Sequence, residues 1–479
     1  MPDSIQTQVV LLHSNDIHSR LENAARISTI IAEERRVWGS GRVLAVDCGD
    51  HMDRMRMESE GSGGKVNLAL IREAGYEAIT LGNNEGLTCS ADMLEELFGP
   101  PAPFAIVCAN MTVSATGTRP DWMLPSVVLR KNGLSIGLIG ATANFFEFYS
   151  LLGWTTIEPL AAIREQVEQI RERCDVVVVM SHLGINLDRQ MAEDIEGIDL
   201  IVGGHTHHLL EEPIVIGNTT VCAAGKFGDF VGRVEIGLDP STGKPHFRAS
   251  CIPTAAYPER PEAESIIRSY RQSAQHVLSR IVARLSEPLS ARPDRESPLA
   301  NLLAAGLRRW TGAEIGLVNA GQLLGGLAEG AVTAGELHSL CPSPINPCRM
   351  VIAGIHLRTA LEQSLLEEFI GKPIKGFGFR GEVLGMLAVD GMTISFDSNR
   401  APMKRLVEVK VNGESLQDNR LYTVGSIDMF SFRAGYESLA NAESYQFYLP
   451  EFIRDIIAHE LTNEAAVRAS RTQNWLPAR

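Results

Sequence analysis

Short apolar runs alternate with amphipathic segments over the first 235 or so residues. Runs rich in β-branched residues predict strands at 9–12, 43–46, 78–81, 105–107, 136–139, 176–180 and 200–202. Between them, apolar residues at helical spacing predict helices at 25–37, 65–73, 91–98 and 160–173. Continuously apolar strands that alternate with helices are typical of an α/β fold whose sheets are covered on both faces. Two further strands, 219–224 and 232–238, are predicted to be joined by a glycine-rich turn.

The pattern changes after residue 256, where prolines precede a long amphipathic stretch. We predict one connecting helix over 257–285. Beyond it, helical patterns at 298–311, 355–370 and 451–460 mix with strand-like runs at 406–411 and 422–426. A chain of 479 residues is too long for one ordinary core. The sequence therefore predicts an α/β domain over 1–256, a connecting helix over 257–285 and a smaller α+β domain over 286–479.

Polar clusters follow five of the predicted strands at the point where each strand ends. They are Asn15-Asp16-Ile17-His18, Asp47-Cys48-Gly49-Asp50, Gly82-Asn83-Asn84-Glu85, Ser181-His182-Leu183-Gly184 and Gly203-Gly204-His205-Thr206-His207. Ligands of open α/β sheets bind at the carboxyl ends of the strands, because neighbouring loops converge there. The side chains delivered to this edge are two Asp, one Asn and four His, namely Asp16, His18, Asp50, Asn83, His182, His205 and His207.

These side chains have the chemistry of a divalent metal site. Imidazole and carboxylate together favour Mn²⁺, Zn²⁺ or Fe²⁺ over Mg²⁺ and Ca²⁺, which prefer oxygen ligands alone. Seven ligands exceed the needs of one tetrahedral ion and suit two ions that share a carboxylate. Each cluster alone has a structural alternative as a helix cap or a turn. Five clusters at successive strand ends favour the metal centre.

The net charge of −14 narrows the class of partner. An acidic surface disfavours nucleic acid and anionic membranes as partners, and no apolar run approaches the roughly 18 residues of a membrane span. Bound divalent metals would supply positive charge for a small anionic substrate. The N-terminus has no secretory pattern and the eight cysteines are scattered, so the expected location is the cytoplasm. The oligomeric state is left open.

At its five polar clusters the chain resembles the calcineurin-like metallophosphoesterases. More narrowly, it is similar to the two-domain bacterial 5′-nucleotidase / UDP-sugar hydrolase / 2′,3′-cyclic phosphodiesterase family. Within that family it resembles a cytoplasmic branch with Gly-Asn-Asn-Glu in place of Gly-Asn-His-Glu. The resemblance implies a four-layer αββα sandwich over 1–256. It also implies a substrate-binding domain over 286–479 with an aromatic and polar pocket for a nucleoside.

The resemblance also implies how the ligands are shared between two divalent ions. Asp50 would bridge the ions. Hydroxide held by the two metals would attack phosphorus, so we expect a 5′-nucleotidase-like hydrolase acting on a nucleotide. One ion is expected on Asp16, His18, Asp50 and His207, and the other on Asp50, Asn83, His182 and His205.

Two positions depart from the family pattern next to these ligands. Asn84 stands where most relatives have a histidine, and Leu87 stands where an aspartate orients that histidine. Asparagine can donate a hydrogen bond to a phosphoryl oxygen, but it cannot carry a proton or a positive charge. His51, directly after Asp50, is a candidate to compensate, with Arg54 and Arg56 beyond it. The alternative for His51 is a packing role.

The predicted substrate domain departs from the family as well. The stretch 319–324 lacks the arginine that many relatives use to hold substrate. The candidate substrate residues are therefore Asn346 in a proline-rich loop, Phe430 and Phe432 for stacking on a base, and Arg380 for an anion. Core packing is the alternative for each phenylalanine, and solvation is the alternative for Arg380.

Other functions compatible with the same metals differ in the substrate pocket. A 2′,3′-cyclic phosphodiesterase or a nucleotide-sugar pyrophosphatase would use the same ligands, as would a thiosulfohydrolase-type relative. A member of a different class, a catalytically weak metal-binding sensor, would explain the loss of the histidine at Asn84. The complete ligand set favours an enzyme.

Overall fold

The computed structural model describes residues 6–478. The chain divides into two compact units, the first ending at Ala274 and the second beginning at Gln275. The finer predicted division at 256 and 285 stays a prediction. No helix within the described residues combines the length and the apolar character needed to cross a bilayer.

The first unit is built from strands and helices in alternation. Its strands are β1 (Val9–Ser14), β2 (Val43–Asp47), β3 (Ala78–Ile79), β4 (Ala105–Val107), β5 (Met111–Val113), β6 (Met123–Leu124), β7 (Ser126–Lys131), β8 (Leu134–Thr142), β9 (Trp154–Thr156), β10 (Val176–His182), β11 (Leu200–Gly203), β12 (Ile214–Ile216), β13 (Thr219–Ala223), β14 (Phe230–Leu238) and β15 (Pro245–Pro253). Its helices are α1 (Leu21–Trp38), α2 (Met57–Ser62), α3 (Lys65–Ala74), α4 (Asn83–Thr88), α5 (Ala91–Phe98), α6 (Phe146–Leu151), α7 (Pro159–Ile170), α8 (Ile185–Asp194) and α9 (Pro261–Leu278), whose last turn passes the unit boundary.

Two large sheets dominate this unit. The first has the order β15-β14-β1-β2-β3-β4-β6 and the second has the order β12-β13-β11-β10-β8-β7. In the first sheet β1, β2, β3, β4 and β6 run parallel, as do β8, β10, β11 and β13 in the second. Antiparallel strands complete the edges. The carboxyl ends of β1, β2 and β3 therefore share one edge, and so do those of β10 and β11.

The two sheets pack face to face, and helices cover their outer faces. Apolar side chains of both sheets, such as Leu11 and Val46 from the first and Val178 and Met180 from the second, form one buried cluster. Helices α7 and α8 pack on the opposite face of the second sheet. Helix α1 lies against β2 and α3. Its buried positions recur at helical spacing, which gives the helix one apolar face. The predicted α/β fold class is confirmed.

Two local predictions differ from the structure. The strands predicted at 219–224 and 232–238 do not form a hairpin, because β13 lies in the second sheet and β14 lies in the first. The glycine-rich segment between them therefore crosses from one sheet to the other. The helix predicted over 257–285 is shorter, since α9 ends at Leu278 and residues 281–285 form a strand that pairs with a later one.

The second unit mixes helices with three sheets. Its strands are β16 (Ile281–Leu285), β17 (Ile315–Asn319), β18 (Gly330–Thr333), β19 (Pro347–Ala353), β20 (Leu387–Asp390), β21 (Met392–Phe396), β22 (Leu406–Val411), β23 (Glu414–Ser415), β24 (Leu421–Ile427), β25 (Ser444–Phe447) and β26 (Trp475–Pro477). Its helices are α10 (Pro298–Thr311), α11 (Ala334–Leu340), α12 (Gly354–Gln363), α13 (Glu367–Ile370), α14 (Ile453–Leu461) and α15 (Glu464–Ala469). The largest sheet has the order β20-β17-β24-β19-β25.

One predicted helix of the second unit is interrupted. The pattern over 355–370 predicts a single helix, but α12 ends at Gln363 and α13 begins at Glu367. The Ser364 hydroxyl lies in the break and accepts a hydrogen bond of 2.8 Å from the backbone N–H of Leu387. A serine hydroxyl that accepts a hydrogen bond from a neighbouring strand in this way competes with continuation of the helix.

Candidate metal centre

The loops that follow β1 and β2 lie side by side. The backbone N–H of Asp16 donates to the carbonyl of Gly49 at 2.9 Å, and that of His18 donates to the carbonyl of Asp50 at 2.8 Å. These bonds extend the parallel pairing of the two strands beyond the sheet. The side chains of Asp16, His18 and Asp50 are brought together as a result.

Hydrogen bonds also join the loop ends of the two sheets. The N–H of Gly204 donates to Ser181 at 2.9 Å, which aligns the loops after β10 and β11. The N–H of His205 donates to the Asp16 carboxylate at 2.9 Å, which connects the second sheet to the first. Ligand candidates from five separate loops therefore converge on one site in the first unit.

The first group of ligand atoms surrounds the His18 ring nitrogen Nε2. It lies 3.2 Å from His207 Nε2, 3.8 Å from Asp16 Oδ1 and 3.8 Å from Asp50 Oδ2. His207 Nε2 is 3.4 Å from Asp16 Oδ1.

The second group lies on the other side of the same carboxylate. His182 Nε2 is 3.4 Å from Asp50 Oδ1 and 3.2 Å from Asn83 Oδ1. Asn83 Oδ1 is also 2.9 Å from His205 Nδ1. The two Asp50 oxygens therefore face different groups, which is the arrangement that a bridging carboxylate requires. The assignment of individual ligands to individual ions stays a prediction.

The spacing and the chemistry of these atoms fit divalent ions. Ligand atoms about 2.0–2.2 Å from a shared ion lie roughly 3–3.5 Å from one another. The candidate atoms of Asp16, His18 and His207 lie within 4.8 Å of one another, as do those of Asp16, Asp50 and His182. Apart from His207, whose side chain is 33% exposed, these residues are almost fully buried. Two facing imidazole nitrogens and clustered carboxylates are costly without a cation between them.

The ligand loops are held in an uncommon backbone conformation. Five of the seven candidate ligands have positive φ angles: Asp16 (51°), His18 (47°), Asp50 (54°), His205 (71°) and His207 (59°). Residues other than glycine rarely adopt this left-handed conformation, and such strain concentrates at functional sites. The loop hydrogen bonds described above hold these residues in place.

A backbone carbonyl fixes the orientation of one ligand ring, and a carboxylate lies near a second. His182 Nδ1 donates to the carbonyl of Cys48 at 2.7 Å, which directs Nε2 at Asp50. His18 Nδ1 lies 3.6 Å from the carboxylate of Asp53. A carboxylate or carbonyl behind a histidine selects the tautomer that binds metal and increases its basicity.

The electrostatics of the centre favour a cation. Burial alone would lower the pKa of His182, but the Asp50 carboxylate raises that pKa to about 10. Burial would in turn raise the pKa of Asp50, but the charge of His182 and the N–H of Asn84 hold that pKa well below its usual range. The negative potential that retains a proton on this imidazole would equally attract a divalent ion.

The side chain of Glu85 anchors the loop after β2, which contains Asp50. Its buried carboxylate accepts three backbone N–H groups, from Asp50 at 3.0 Å, Met52 at 2.8 Å and Gly82 at 2.9 Å. Burial and the charge of Asp50 raise the pKa of Glu85 to about 7. Glu85 therefore connects the loop after β2 to the start of α4, where Asn83 lies.

Asn84 and His51 occupy positions beside the ligands. The Asn84 side-chain amide donates to the carbonyl of Met52 at 3.1 Å and lies 3.0 Å from His18 Nδ1, so a role as a phosphoryl donor requires this amide to turn. His51 is fully buried, contacts Asn67 at 3.2 Å and has its pKa lowered to about 4 by burial. These contacts suit a neutral, packed histidine. Its predicted catalytic role and that of Asn84 stay predictions.

In the second unit, Asn346 belongs to a buried polar pair. Its backbone N–H lies 3.3 Å from the Asp428 carboxylate, and its side chain donates to the carbonyl of Glu451 at 2.8 Å. Burial raises the pKa of Asp428 to about 7. Arg380 is half-buried in the same unit, and its N–H donates to the Ser343 hydroxyl at 3.0 Å.

The two candidate stacking residues differ in exposure. The Phe430 ring is fully buried and packs edge-on against Tyr436 at 6.2 Å. The Phe432 ring is 37% exposed and stacks on Phe377 at 6.1 Å. Phe432 is thus the one of the pair with surface available for a base, and its role stays a prediction.

Sequence reasoning did not assign roles to several residues beside the centre. Glu85 lies within a polar cluster that was recognised, but the sequence does not show that its side chain turns back to the loop after β2. Of these residues, Asp53 alone has a signal in the sequence, because it lies three positions after Asp50. Phe227 approaches the His18 ring at 5.9 Å from the segment between β13 and β14, where no pattern marks it.

Comparison with protein families agrees with this geometry. Residues 9–209 match the calcineurin-like phosphoesterases, and residues 281–438 match the 5′-nucleotidase C-terminal domain. An uncharacterized metallophosphoesterase from Bacillus subtilis, YunD, is 33% identical over 94% of this chain and 98% of its own length. The chain belongs to the calcineurin-like metallophosphoesterases that carry a 5′-nucleotidase C-terminal domain. It is therefore a hydrolase of phosphoester bonds, in a family that uses divalent metals.

More distant relatives extend the same two-domain match. Human 5′-nucleotidase is 23% identical over 93% of this chain and 83% of its own length. The structure of a Thermus thermophilus 5′-nucleotidase precursor covers 98% of this chain and 99% of its own, with a TM-score of 0.60 and 22% identity. The structure of the Haemophilus influenzae NAD nucleotidase covers 98% of this chain and 97% of its own, with a TM-score of 0.67 and 16% identity. These two structures show the shared fold.

The anchoring role of Glu85 is tested by the substitution Glu85→Gln. Glutamine offers one oxygen instead of two, and its NH₂ group would oppose one of the three N–H donors. We expect metal affinity to fall by roughly 10–100-fold and the free energy of unfolding to fall by about 1–3 kcal/mol. Calorimetric metal titration and urea denaturation measure these effects. The exposed Glu168→Gln is the matched control, and equal affinity in the two variants would contradict the anchoring role.

The buried Asp428 carboxyl predicts a pH dependence of stability. Its pKa is raised from 3.8 to about 7 in the folded chain. The contribution of the Asp428 carboxyl to the free energy of unfolding is therefore complete below pH 3.8, where the group is protonated in both states. This contribution is lost as the pH rises through about 7. The loss is about 1.4 kcal/mol per unit of pKa difference. Asp428→Asn should flatten this part of the profile, measured by urea denaturation between pH 4 and 8. An unchanged slope would refute the assignment.

Proposed function

We propose that this chain is a 5′-nucleotidase-like enzyme that removes phosphate from a nucleotide at a centre of two divalent ions. The observation that carries the proposal is the position of Asp50, whose two oxygens face two separate groups of ligand atoms. Relatives named as 5′-nucleotidases over most of this chain support the choice of substrate class.

In this proposal two neighbouring sets of ligands would hold the two ions. Imidazole-rich ligation favours manganese, zinc or iron. Asp16, His18, Asp50 and His207 would hold the first ion, and Asp50, Asn83, His182 and His205 would hold the second. When bound, such ions supply positive charge to the phosphoryl group and lower the pKa of a water towards neutrality.

The residues of the chain contribute positioning and proton control. The carbonyl of Cys48 holds the His182 ring in the tautomer that leaves Nε2 free, and the Asp53 carboxylate lies 3.6 Å from His18 Nδ1. The Asn84 amide, once turned from Met52, can donate to an equatorial phosphoryl oxygen. His51 would support the loop of Asp50 as a neutral residue.

The second unit would hold the nucleoside. Exposed Phe432, with Phe377 stacked beside it, presents aromatic surface for a base. Asn346 and Arg380 would supply polar contacts to the rest of the substrate. The half-buried guanidinium of Arg380 suits an anionic group.

The proposal includes a cytoplasmic location and participation in nucleotide catabolism. All eight cysteines are free thiols and six of them are buried. Unpaired thiols are typical of proteins in a reducing compartment.

The bridging role of Asp50 is tested by Asp50→Ala. Removing the shared carboxylate should release one or both ions and reduce hydrolysis of p-nitrophenyl phosphate by at least about 10³-fold. Metal content after dialysis and initial rates with added Mn²⁺ measure these effects. The exposed Asp121→Ala is the control. Retention of both metal and activity by Asp50→Ala would show that the site is elsewhere.

The same preparation tests the substrate class. Rates are measured with nucleoside 5′-monophosphates, 2′,3′-cyclic nucleotides and nucleotide sugars at equal concentration. We expect the highest kcat/KM for a 5′-monophosphate. A preference for a cyclic ester or a sugar nucleotide would replace the nucleotidase assignment, and no rate above that of free metal would favour a sensor.

A further inference from the structure

The segment that follows β8 places a phenylalanine ring against a candidate metal ligand. β8 runs parallel to β10, and Thr142 at its end is paired with His182. The segment after Thr142 therefore starts at the edge where the candidate ligands lie. The Phe145 ring contacts the His205 ring edge-on, with 6.0 Å between the centroids, and the His205 ring contacts that of His182 at 5.2 Å. Phe145 is thus one measured contact from the second group of ligands.

Hydrogen bonds and packing hold Phe145 in place. The Asn110 side chain accepts from the N–H of Thr142 at 3.0 Å and donates to its carbonyl at 2.9 Å, which fixes the end of β8. The carbonyl of Phe145 accepts from the N–H of Tyr149 at 3.0 Å in the first turn of α6. The Phe145 ring also packs edge-on against the buried Phe148 at 6.5 Å. A ring held in this way loses little freedom when a ligand binds.

Helix α6 packs against α4, the helix that begins with the candidate ligand Asn83. The buried Tyr149 ring of α6 lies directly over Gly86 of α4. A Cβ atom at Gly86 would lie 2.5 Å from Cε1 of that ring, so this close approach requires glycine. The position of Phe145 is therefore fixed relative to Asn83 as well as to His205.

The chemistry of the ring decides which part of a phosphoester it can contact. Phe145 is half-buried, so part of it is accessible to a ligand. The face of an aromatic ring carries partial negative charge, which is unfavourable next to phosphoryl oxygens. Those oxygens are the groups that divalent ions bind. The part of the substrate that suits the ring is therefore the carbon-bound leaving group beside the ester oxygen.

We propose that Phe145 is a specificity-determining residue whose ring contacts the leaving group of the substrate beside the candidate metal centre. The contact favours phosphoesters with a ring close to the ester oxygen, such as the ribose of a nucleoside 5′-monophosphate, over those with a small acyclic leaving group. This inference rests on the proposed function, because it needs the phosphoryl group at the metals. It adds a substrate contact from the first unit.

Ligands that are not hydrolysed test this contact separately from catalysis. Phenylphosphonate and methylphosphonate carry the same anionic group and differ in the ring. Both are titrated by calorimetry into the full-length, metal-loaded chain and into Phe145→Leu, which keeps an apolar side chain against His205. We expect the unmodified chain to prefer phenylphosphonate. The preference should fall by about three- to tenfold in Phe145→Leu, because an aromatic contact is lost. Methylphosphonate affinity and metal content should not change.

Phe146→Leu is the matched control, because it makes the same substitution at the next residue, whose side chain is 54% exposed. It should leave the preference unchanged. Equal affinity of the unmodified chain for the two phosphonates, an unchanged preference in Phe145→Leu, or an equal fall in Phe146→Leu would overturn the contact. Equal weakening of both phosphonates or a loss of bound metal in Phe145→Leu would also overturn it, because the ring would then act through His205.

Steady-state rates give a second measurement of the same contact. In Phe145→Leu the KM for AMP should rise while the KM for glycerol 3-phosphate, which has an acyclic leaving group, stays unchanged. An equal rise for both esters would contradict the contact. Absence of hydrolysis in the unmodified chain would refute the proposed function, and the calorimetric comparison of the two phosphonates would still decide the role of Phe145.

Discussion

The buried Asp50 carboxylate is the group on which the arrangement of the site depends. It follows β2, its backbone N–H is bound by Glu85, and its two oxygens face His18 on one side and His182 on the other. Burying this carboxylate without a compensating positive charge would be costly. The parallel strands, the strained loops and the buried histidines around it are therefore consistent with one requirement, a place for divalent cations.

Much of this fold could be predicted because its signals are local. Continuously apolar strands and amphipathic helices mark the layers, and the bounds of β4, α5, α10 and β22 coincide with the predicted ranges. The interruption after Gln363 depends on a hydrogen bond between Ser364 and Leu387. The placement of β13 and β14 in different sheets depends on long-range pairing. Contacts between distant segments leave no local pattern in a sequence.

The candidate site also has one part that the sequence predicts and another that depends on contacts between distant segments. All seven predicted ligands come together, because parallel strands deliver their carboxyl ends to one edge. Glu85 and Phe227 make contacts that no spacing in the sequence predicts, whereas Asp53 lies three residues after Asp50. Phe430 shows the converse: a phenylalanine in a glycine-containing loop is compatible with a base or with a core, and in the structure it is fully buried. Burial decides between those two uses, and a single sequence does not show it.

The central claim is that the first unit binds two divalent ions through a shared carboxylate. It is tested most directly by equilibrium titration of the demetallated chain with Mn²⁺ or Zn²⁺, with bound metal counted by mass spectrometry after removal of free ions. The account predicts two ions per chain, and fewer than two when Asp50 is replaced by alanine. A single ion per chain, or a stoichiometry of two that survives the Asp50→Ala substitution, would contradict it.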